Sequence, residues 1–430
     1  MGLGGQTTMC QELEARTYLD TGRLRTDKSA IKRSRVQRSP DPRPAAPLRT
    51  RFKTTLVVLL VVPLLLLSFF SSGAAVAAVY YVSTSGSDSN SGSISSAWKT
   101  IQKAANSVSA GDTVMVNAGT YTERVTVSRS GSSSAYITIK ANGTVDMKGF
   151  TLTGSYVRVS GFRIDQPSWN GFYISGNSNI VEYNEVSRSI YNGDDADGIR
   201  FFGDGHIIRY NYIHDIRQDD IPDAHTDCFQ TYDNSAPPST NILIEGNYCY
   251  NPGHQMMMLS AVTQFKSSNL TIRNNVFEYN NPVAGWQGIY LWDIPNSTVV
   301  HNTFINGRYR GVLTDGSPNT IVKNNIFYNV PLPYDGAGID ASNNVIYRDT
   351  YSVSSSSNNV LADPQFVDLA GKDYHLKSTS PAIDKGVNLG VTTDKDGNPR
   401  PVGRGPDIGA YEFSSSSSAP AAPTALRTIP

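Results

Sequence analysis

The segment Asn179-IVEYN-Glu185 places a short run of apolar and β-branched residues directly before an asparagine, and the chain repeats this arrangement five more times. The asparagines that end the runs are Asn184, Asn211, Asn247, Asn275, Asn302 and Asn325. They recur at intervals of about 20 to 36 residues, a period typical of proteins built from stacked repeats. Asparagine tolerates left-handed backbone and can hydrogen-bond neighbouring amides, so one asparagine at the same corner of each coil predicts a ladder inside the fold.

A second half of the repeat aligns without gaps and confirms this register. Its copies are Asn170-GFYI, Asp197-GIRF, Asp227-CFQT, Gln255-MMML, Gln287-GIYL and Arg310-GVLT. The third and fifth positions are mostly apolar, which is the period-two signature of a strand with one buried face. Strand, corner and strand repeated in this way predict an all-β, single-stranded parallel β-helix rather than an antiparallel β-sandwich, because hairpins would not keep the corner asparagines in register.

Both ends of the predicted solenoid carry closing segments. In Ser95-SAWKTIQKAANSVSAGD, apolar residues fall on one helical face, which predicts a short amphipathic helix over the first coil. The stretch from Asp363 to Phe413 has the irregular composition of a C-terminal cap. We therefore expect a β-helix domain over residues 80–413, followed by a linker tail rich in Ser, Pro and Ala over residues 414–430.

The zero net charge of the 430-residue chain conceals a split between its parts. Residues 1–53 carry 12 Lys+Arg and 5 Asp+Glu (12 − 5 = +7), residues 54–79 carry no charge, and residues 80–430 hold the remaining 25 and 32 (25 − 32 = −7). The body therefore has no basic stripe for nucleic acid. We assign no fold to the basic extension over residues 1–53.

The segment Thr54-TLVVLLVVPLLLLSFF-Ser71 follows a basic stretch and precedes Ala75-Val76-Ala77, which fits the small-x-small rule for signal peptidase. We interpret residues 54–79 as an export signal cleaved near Ala77. An uncleaved membrane anchor that leaves the β-helix outside is the alternative. Cys228 and Cys249 are the cysteines of the exported part, and because the repeat alignment puts them on different parts of adjacent coils, we expect two separate thiols.

The stretch Tyr80-YVSTSGSDSNSGSISSAWKTIQKAANSVSAGDTVMVNAGTYTE resembles the opening segment of right-handed parallel β-helix proteins of the pectate-lyase-like superfamily. The asparagine-ended coils resemble their repeats, so the resemblance covers roughly residues 80–413. It implies a right-handed solenoid. It is less specific for activity, because that superfamily contains lyases, hydrolases, epimerases and non-catalytic surface proteins.

If the second-half strands stack, their outward positions form a ladder of polar and aromatic side chains along one face. Long faces with exposed aromatic rings suit polysaccharides, whose sugar rings present C–H faces to Trp and Tyr while amides and carboxylates bind the hydroxyls. We predict a polysaccharide as the partner of a monomeric protein. The predicted sugar-binding residues are Gln230, Gln255, Trp286, Gln287, Tyr290, Trp292 and Arg310.

An aspartate-rich stretch precedes one of these strands. Hard cations need several oxygen ligands, and in calcium-dependent lyases of the superfamily a stretch of this kind holds the metal that binds the carboxylate of the substrate. The resemblance gives that role to Asp194, Asp195 and Asp197, with Ca²⁺ as the cofactor. Solvated loop acids that form local turns are the alternative.

Three classes of function remain open from the sequence. A lyase acting by β-elimination would use Arg200, His225, Asp227 and His254, since histidine suits proton transfer near neutral pH; the lysine base frequent in the superfamily has no counterpart on this face. A glycoside hydrolase would use Asp197 and Asp227 as an acid and base separated by about 5 to 9.5 Å. A surface protein would bind glycans without turnover.

Overall fold

The computed structural model describes residues 77–190, 195–216, 225–232, 236–261, 266–280, 287–351 and 358–414. The chain divides into Met1–Ser72 and Gly73–Pro430, and all the described residues belong to the second unit. The basic extension, the tail after residue 414 and all but the last three residues of the predicted export signal therefore lie outside the described part. Within the described ranges, no helix has the length and apolar character that crossing a membrane requires.

The described chain contains one α-helix and 31 strands. The helix is α1 (Ile101–Ser107), and the strands are β1 (Val79–Val82), β2 (Thr113–Thr120), β3 (Val125–Val127), β4 (Ile137–Met147), β5 (Phe150–Leu152), β6 (Val157–Ser160), β7 (Arg163–Asp165), β8 (Phe172–Ile174), β9 (Ile180–Glu182), β10 (Glu185–Ser187), β11 (Ile199–Phe201), β12 (Ile207–Arg209), β13 (Tyr212–His214), β14 (Phe229–Thr231), β15 (Leu243–Glu245), β16 (Tyr248–Tyr250), β17 (Met257–Ser260), β18 (Thr271–Arg273), β19 (Val276–Glu278), β20 (Gln287–Trp292), β21 (Thr298–Val300), β22 (Thr303–Ile305), β23 (Arg310–Asp315), β24 (Thr320–Lys323), β25 (Ile326–Tyr328), β26 (Leu332–Asp335), β27 (Ile339–Ser342), β28 (Val345–Tyr347), β29 (Val360–Leu361), β30 (Phe366–Asp368) and β31 (Asp373–Leu376).

These strands wind into a right-handed parallel β-helix, as predicted. A nine-stranded parallel sheet runs β3-β5-β8-β11-β14-β17-β20-β23-β26, and we call it the site sheet. Its register pairs Ile199 with Phe172 on one side and with Phe229 on the other, which is the gap-free alignment of the second-half segments. The other two faces are parallel ladders that join through β4 into a 20-stranded sheet.

Each middle coil contains three strands, so the prediction of two strands per repeat was incomplete. The third strand begins directly after the corner asparagine: β9 ends at Glu182, Asn184 makes the corner, and β10 begins at Glu185. The residue before that corner, Tyr183, has a φ of 55°. The turn is therefore made in two residues, without the glycine or proline that would mark a turn in the sequence.

The predicted asparagine ladder is present and fully enclosed. The side-chain Oδ1 of each asparagine accepts the backbone N–H of the preceding one, with Asn247 N to Asn275 Oδ1 at 2.8 Å and Asn275 N to Asn302 Oδ1 at 2.9 Å. Each Nδ2 donates to a backbone carbonyl, as from Asn275 to Ile244 at 3.0 Å. The same contacts continue to Asn344 and Asn359, which extends the ladder beyond the six asparagines of the repeat.

The interior is filled by aromatic and aliphatic side chains in stacked rows. On the site sheet, the rings of Phe150 and Phe172 stack at 5.6 Å, and on another face Phe304 stacks on Phe327 at 4.8 Å. At the front, α1 buries Ile101, Ala104 and Ala105 against the first coil, which confirms the capping helix.

A buried polar cluster fixes the C-terminal closing segment to the solenoid. Arg400 forms an ion pair with Glu412 at 2.8 Å, and both side chains are enclosed. The Arg400 guanidinium also lies 2.9 Å from Nδ1 of His301, the residue before the corner Asn302, and burial lowers the pKa of this imidazole well below its usual range. The closing segment therefore packs directly on the asparagine corner.

The expectation of two separate thiols was wrong. Cys228 and Cys249 form a disulfide with a Cα–Cα distance of 6.1 Å. Cys228 follows Asp227 at the entrance to β14, whereas Cys249 lies in β16 of the same coil, and both side chains point into the interior. The repeat alignment placed the two cysteines on different parts of adjacent coils, but they lie on one coil, and its narrow cross-section brings them together.

We expect Asn275→Ala to lower the midpoint of thermal unfolding. The substitution leaves the buried N–H of Asn247 without an acceptor, which costs about 1–3 kcal/mol. The matched control is Asn142→Ala on β4, because Asn142 donates to Asn117 Oδ1 at 3.0 Å on an exposed surface. Differential scanning calorimetry of the three proteins checks this; equal midpoints for Asn275→Ala and the wild type would contradict the role of the ladder.

Candidate functional site

A second side-chain ladder lies at the entrance to the site sheet. Asn170 Oδ1 accepts the backbone N–H of Asp197 at 2.8 Å, Asp197 Oδ1 accepts that of Asp227 at 3.2 Å, and Asp227 Oδ1 accepts that of Gln255 at 2.7 Å. These four residues therefore occupy the same corner of successive coils, as predicted. Gly198 follows Asp197 because a Cβ there would lie 2.4 Å from the side chain of Ile213.

The sequence interpretation placed these aspartates on an exposed face, and this was wrong. The side chains of Asp197 and Asp227 are 0% exposed. Their Oδ1 atoms bind the neighbouring coils, and their Oδ2 atoms are covered by Arg200 and Gln230. Neither carboxylate is accessible to a sugar, so the pair does not have the geometry of a hydrolytic acid and base.

Arg200 extends from the centre of β11 and pairs with Asp197. Its Nε and Nη2 lie 2.9 and 2.8 Å from Asp197 Oδ2, and Nη2 is 3.4 Å from Asp195 Oδ2. Burial raises the pKa of Asp197 well above its usual range, Arg200 opposes this shift, and the neighbouring carboxylates of Asp227 and Asp195 reinforce it. Burial alone would lower the pKa of Arg200, but the carboxylates outweigh it and the pKa is raised.

Two aromatic rings enclose the Arg200 guanidinium, which is 0% exposed. Its Cζ lies 5.5 Å from the ring centre of Trp169 and 5.2 Å from that of Tyr232. Sequence reasoning missed both rings, although Trp169 directly precedes the ladder residue Asn170 and Tyr232 directly follows β14. Arg200 thus orients the carboxylates around it and does not itself face solvent.

The imidazoles of His225 and His254 form the accessible surface of the cluster together with Asp195. Their rings stack at 4.7 Å with an interplanar angle of 2°. Nδ1 of His254 lies 3.4 Å from Asp227 Oδ1, and Nδ1 of His225 lies 3.8 Å from Asp195 Oδ1. The side chains of His225, His254 and Asp195 are 40%, 27% and 28% exposed.

The environment of His254 favours its charged form. Burial alone would lower the pKa of His254, but the adjacent Asp227, with smaller contributions from Asp195 and Asp197, raises it above its ordinary value. Gln230 on β14 connects the two acidic positions, since its Nε2 donates to Asp195 Oδ2 at 3.2 Å and to Asp227 Oδ2 at 3.4 Å. The cluster thus presents imidazoles to solvent and keeps most of its carboxylate charge beneath them.

Aromatic and polar residues continue the face toward the C-terminus. Tyr290 and Trp292 on β20 stack at 5.7 Å and are partly exposed, as predicted for sugar-stacking residues. Arg310 at the start of β23 pairs with Asp335 at 2.8 Å and lies 4.2 Å from the ring centre of Tyr309. Trp286, the third predicted aromatic residue, lies outside the described residues.

The described part of the predicted calcium site does not fit a hard cation. Asp195 and Asp197 both contact the Arg200 guanidinium, whose positive charge would repel a metal ion beside them. Among the described residues, no group of three or more His, Cys, Asp or Glu side chains is arranged to hold a metal ion. Asp194 lies outside the described residues, so calcium stays a prediction.

Two family models match consecutive parts of the chain. The Pel9A-like right-handed β-helix region matches residues 80–214, and the general right-handed β-helix region matches residues 197–363. The chain is a right-handed parallel β-helix protein. The right-handed solenoid implied by the N-terminal segment and by the coils is confirmed.

Solved structures of other β-helix proteins are similar to this one. Pectate lyase Pel9A matches with a TM-score of 0.64 and 18% sequence identity, covering 80% of this chain and 98% of that one. XylC in complex with xylose (15% identity; 63% of this chain, 69% of that one) and a rhamnogalacturonan lyase (16%; 68% and 91%) each give a TM-score of 0.48. No curated protein sequence matches significantly. Similarity at this level establishes the fold of this β-helix protein and not its activity.

We expect Arg200→Gln to destabilise this β-helix strongly, because removing one partner of a buried ion pair costs about 3–5 kcal/mol. The double variant Asp197→Asn/Arg200→Gln should recover most of the loss. Arg163→Gln is the matched control, since Arg163 pairs with Asp146 at 2.7 Å with exposures of 46% and 32%, and exposed pairs contribute about 0–1 kcal/mol.

The loss of folding stability caused by Arg200→Gln should also depend on pH. A carboxyl group whose pKa is raised by folding binds its proton more tightly in the folded state, so the folded protein is favoured as the pH falls. The deficit should therefore be largest near pH 7 and shrink toward pH 4 to 5, measured as thermal unfolding midpoints. A deficit that does not change over this range would show that Asp197 does not carry the unpaired charge.

Proposed function

We propose that this protein cleaves a uronate-containing polysaccharide by β-elimination, with His225 and His254 as the proton-transfer groups. The observation that carries the proposal is the stacked imidazole pair, which lies with Asp195 on the accessible side of an acidic cluster whose Asp197 and Asp227 are enclosed. Imidazoles titrate near neutral pH and can both remove and donate protons there.

The reaction needs one base and one acid at the same sugar. A base removes the proton from the carbon next to the uronate carboxylate, that electron pair forms the new carbon–carbon double bond, and the glycosidic oxygen leaves and takes a proton. The raised pKa of His254 favours the imidazolium, which suits it to stabilise the developing negative charge and to protonate the leaving oxygen. His225, the more exposed ring, is then the base.

The carboxylates have a supporting role in this proposal. Asp227 holds the imidazole of His254 and keeps it charged, while Arg200 and Gln230 orient Asp195 beneath His225. Glycoside hydrolysis would need two carboxyl groups at the sugar, but Asp197 and Asp227 are both enclosed. Elimination therefore agrees better with the distribution of exposed groups than hydrolysis does.

The rest of the face supports a bound glycan. Tyr290 and Trp292 offer ring faces two coils from His225, and the predicted roles of Trp286, Gln287 and Arg310 extend this track. The described donors do not fit a resident calcium ion, so no step of the proposed reaction depends on one. Chelation tests this directly.

We also propose that the β-helix acts outside the cell, after export by the segment over residues 54–79. The buried Cys228–Cys249 disulfide supports an oxidising compartment, where such bonds persist. Cleavage near Ala77 gives a secreted protein, and retention of the segment gives an anchored one.

The experiment is incubation of the purified protein with a panel of uronate polysaccharides while ultraviolet absorbance of unsaturated sugar products is recorded. His225→Gln and His254→Gln should each lower kcat by about 10²- to 10⁴-fold, the usual contribution of general acid–base catalysis. His214→Gln is the matched control, because His214 also lies between two carboxylates, Asp215 and Glu185, but on another face.

The outcomes separate the three classes of function. New reducing ends without ultraviolet absorbance would indicate hydrolysis, and binding without new ends would indicate a non-catalytic protein; either contradicts the proposal. Activity should fall as the pH rises through the raised pKa of His254, because the imidazolium is then lost. Chelation with EDTA should leave the rate unchanged. Loss of activity that added Ca²⁺ restores would instead support the predicted calcium site and contradict a reaction that does not depend on the metal.

A further inference from the structure

The face that carries the histidine pair continues beyond Tyr290 along one outward row of the site sheet. The register pairs Tyr290 on β20 with Leu313 on β23, and Leu313 with Asp335 on β26. Because side chains alternate between the two faces of a strand, residues paired in register point to the same side. The row that contains Tyr290 therefore ends, two coils further on, at a carboxylate to which the sequence analysis gave no role.

Asp335 forms the more exposed half of an ion pair with Arg310. Its Oδ2 accepts a hydrogen bond from Nε of Arg310 at 2.8 Å, and the two side chains are 42% and 23% exposed, in that order. Exposed pairs of this kind contribute only about 0–1 kcal/mol to folding stability. A carboxylate accepts several hydrogen bonds and a guanidinium has five N–H donors, so the pair offers both kinds of partner that sugar hydroxyls need.

The ring of Tyr351 is oriented by its neighbours at the same end of the site sheet. It meets the ring of Tyr309 edge to face, with centres 5.8 Å apart and an angle of 75° between the planes. Tyr309 directly precedes Arg310, whose Cζ lies 4.2 Å from the centre of the Tyr309 ring. The backbone N–H of Tyr351 donates to the carbonyl of Pro331 at 2.9 Å, just before β26. Tyr309 thus connects the Tyr351 ring to the ion pair.

Tyr351 is also 52% exposed. Single exposed apolar side chains are common on soluble proteins and need no explanation. Tyr351 differs from them because an edge-to-face ring contact, which contributes about 0.5–1.5 kcal/mol beyond the buried area, holds its ring beside hydroxyl-binding groups. An oriented aromatic ring next to a few polar groups is a combination that suits a sugar, whose C–H face stacks while its hydroxyls form hydrogen bonds.

The position of this ring along the solenoid agrees with a glycan bound at the histidine pair. His254 lies at the entrance to β17, and Tyr309 lies at the entrance to β23, two coils further on. With strands about 4.8 Å apart, β23 is about 10 Å and β26 about 14 Å from β17 along the axis. Tyr290 and Trp292 lie on β20, between these ends. A glycan that leaves the histidine pair toward the C-terminus would pass them before it reaches Tyr351.

Resting on the proposed function, in which a glycan lies along this face, we propose that Tyr351, Tyr309, Arg310 and Asp335 form a further sugar-binding subsite. We call it the distal subsite. The ring of Tyr351 stacks on one sugar, Asp335 accepts hydrogen bonds from its hydroxyls, Arg310 donates to them, and Tyr309 keeps the stacking ring in place. Because the charges of Arg310 and Asp335 offset each other, the subsite binds the ring and hydroxyls of a sugar whether or not that sugar carries a carboxylate.

The dependence of binding and cleavage on chain length tests the distal subsite. The probes are trimers and octamers of galacturonate, of mannuronate and of a chain that alternates glucuronate with a hexosamine. A trimer whose middle sugar lies at the histidine pair has one sugar on either side, whereas an octamer extends over several coils. We expect the wild type to have a KM at least about tenfold lower for the octamer that it cleaves than for the matching trimer.

Tyr351→Ala should remove most of this advantage. We expect the KM of the octamer to rise about tenfold, and its Kd, measured by calorimetric titration in the His254→Gln background, to rise equally. The loss should appear in KM rather than in kcat, because a sugar far from the reacting bond is bound alike in the ground state and the transition state. Tyr351→Phe retains the ring and should keep the octamer affinity of the wild type.

Tyr136→Ala is the matched control. Tyr136 also meets a second tyrosine, Tyr156, edge to face, with ring centres 5.6 Å apart and planes at 85°, but it precedes β4, which is not part of the site sheet. This substitution removes the same ring from the same kind of pair. It should change neither the KM nor the Kd of the octamer.

The outcomes separate the distal subsite from the proposed reaction. An octamer that is cleaved with the same KM and bound with the same Kd by Tyr351→Ala and the parent protein overturns the subsite and leaves β-elimination intact. Equal losses in Tyr351→Phe and Tyr351→Ala overturn the stacking role of the ring. An octamer that binds more weakly to Tyr351→Ala but is never cleaved supports the subsite and contradicts the reaction. Failure of every octamer to bind contradicts both.

Discussion

A side-chain oxygen that accepts the backbone N–H of the neighbouring coil is the interaction on which this structure depends, and it occurs at two corners. At the asparagine corner, neutral amides provide this contact. The side chains of Asn247, Asn275 and Asn302 form hydrogen bonds with the enclosed backbone N–H and C=O groups of the neighbouring coils. At the entrance to the site sheet the same contact is made by Asp197 and Asp227. An aspartate keeps the accepting oxygen of an asparagine but replaces its donor with a charged oxygen, so every such position in the interior needs a compensating group.

The candidate site is the set of groups that compensate those charges. Arg200 pairs with Asp197, Gln230 donates to Asp227, and the imidazole of His254 lies beside Asp227. Trp169 and Tyr232 enclose the guanidinium and so reduce its screening by solvent. The result is an arrangement in which the permanent charges stabilise one another inside the fold, while the groups that can exchange protons near neutral pH remain at its surface.

The sequence predicted the register because register depends on local pattern: alternating apolar positions and corner asparagines repeat visibly. It did not predict the third strand, since β10 follows the corner Asn184 directly, without a glycine or proline. It did not predict the Cys228–Cys249 disulfide either, since the narrow cross-section is a property of the closed coil. It named Arg200, His225, Asp227 and His254 together, and the structure brings them together. It could not predict that Arg200 is enclosed, because the covering rings of Trp169 and Tyr232 come from the neighbouring coils, outside the local repeat.

The most direct test of the account is the titration of the His254 imidazole by NMR in the wild type and in Asp227→Asn. Asparagine keeps the oxygen that accepts the Gln255 N–H, so the account predicts an intact fold with little change in unfolding midpoint. The substitution also removes the negative charge beside the imidazole, so the pKa of His254 should fall toward or below its ordinary value. An unfolded Asp227→Asn protein, or a His254 pKa equal to that of the wild type, would contradict the claim that one aspartate serves both the ladder and the site.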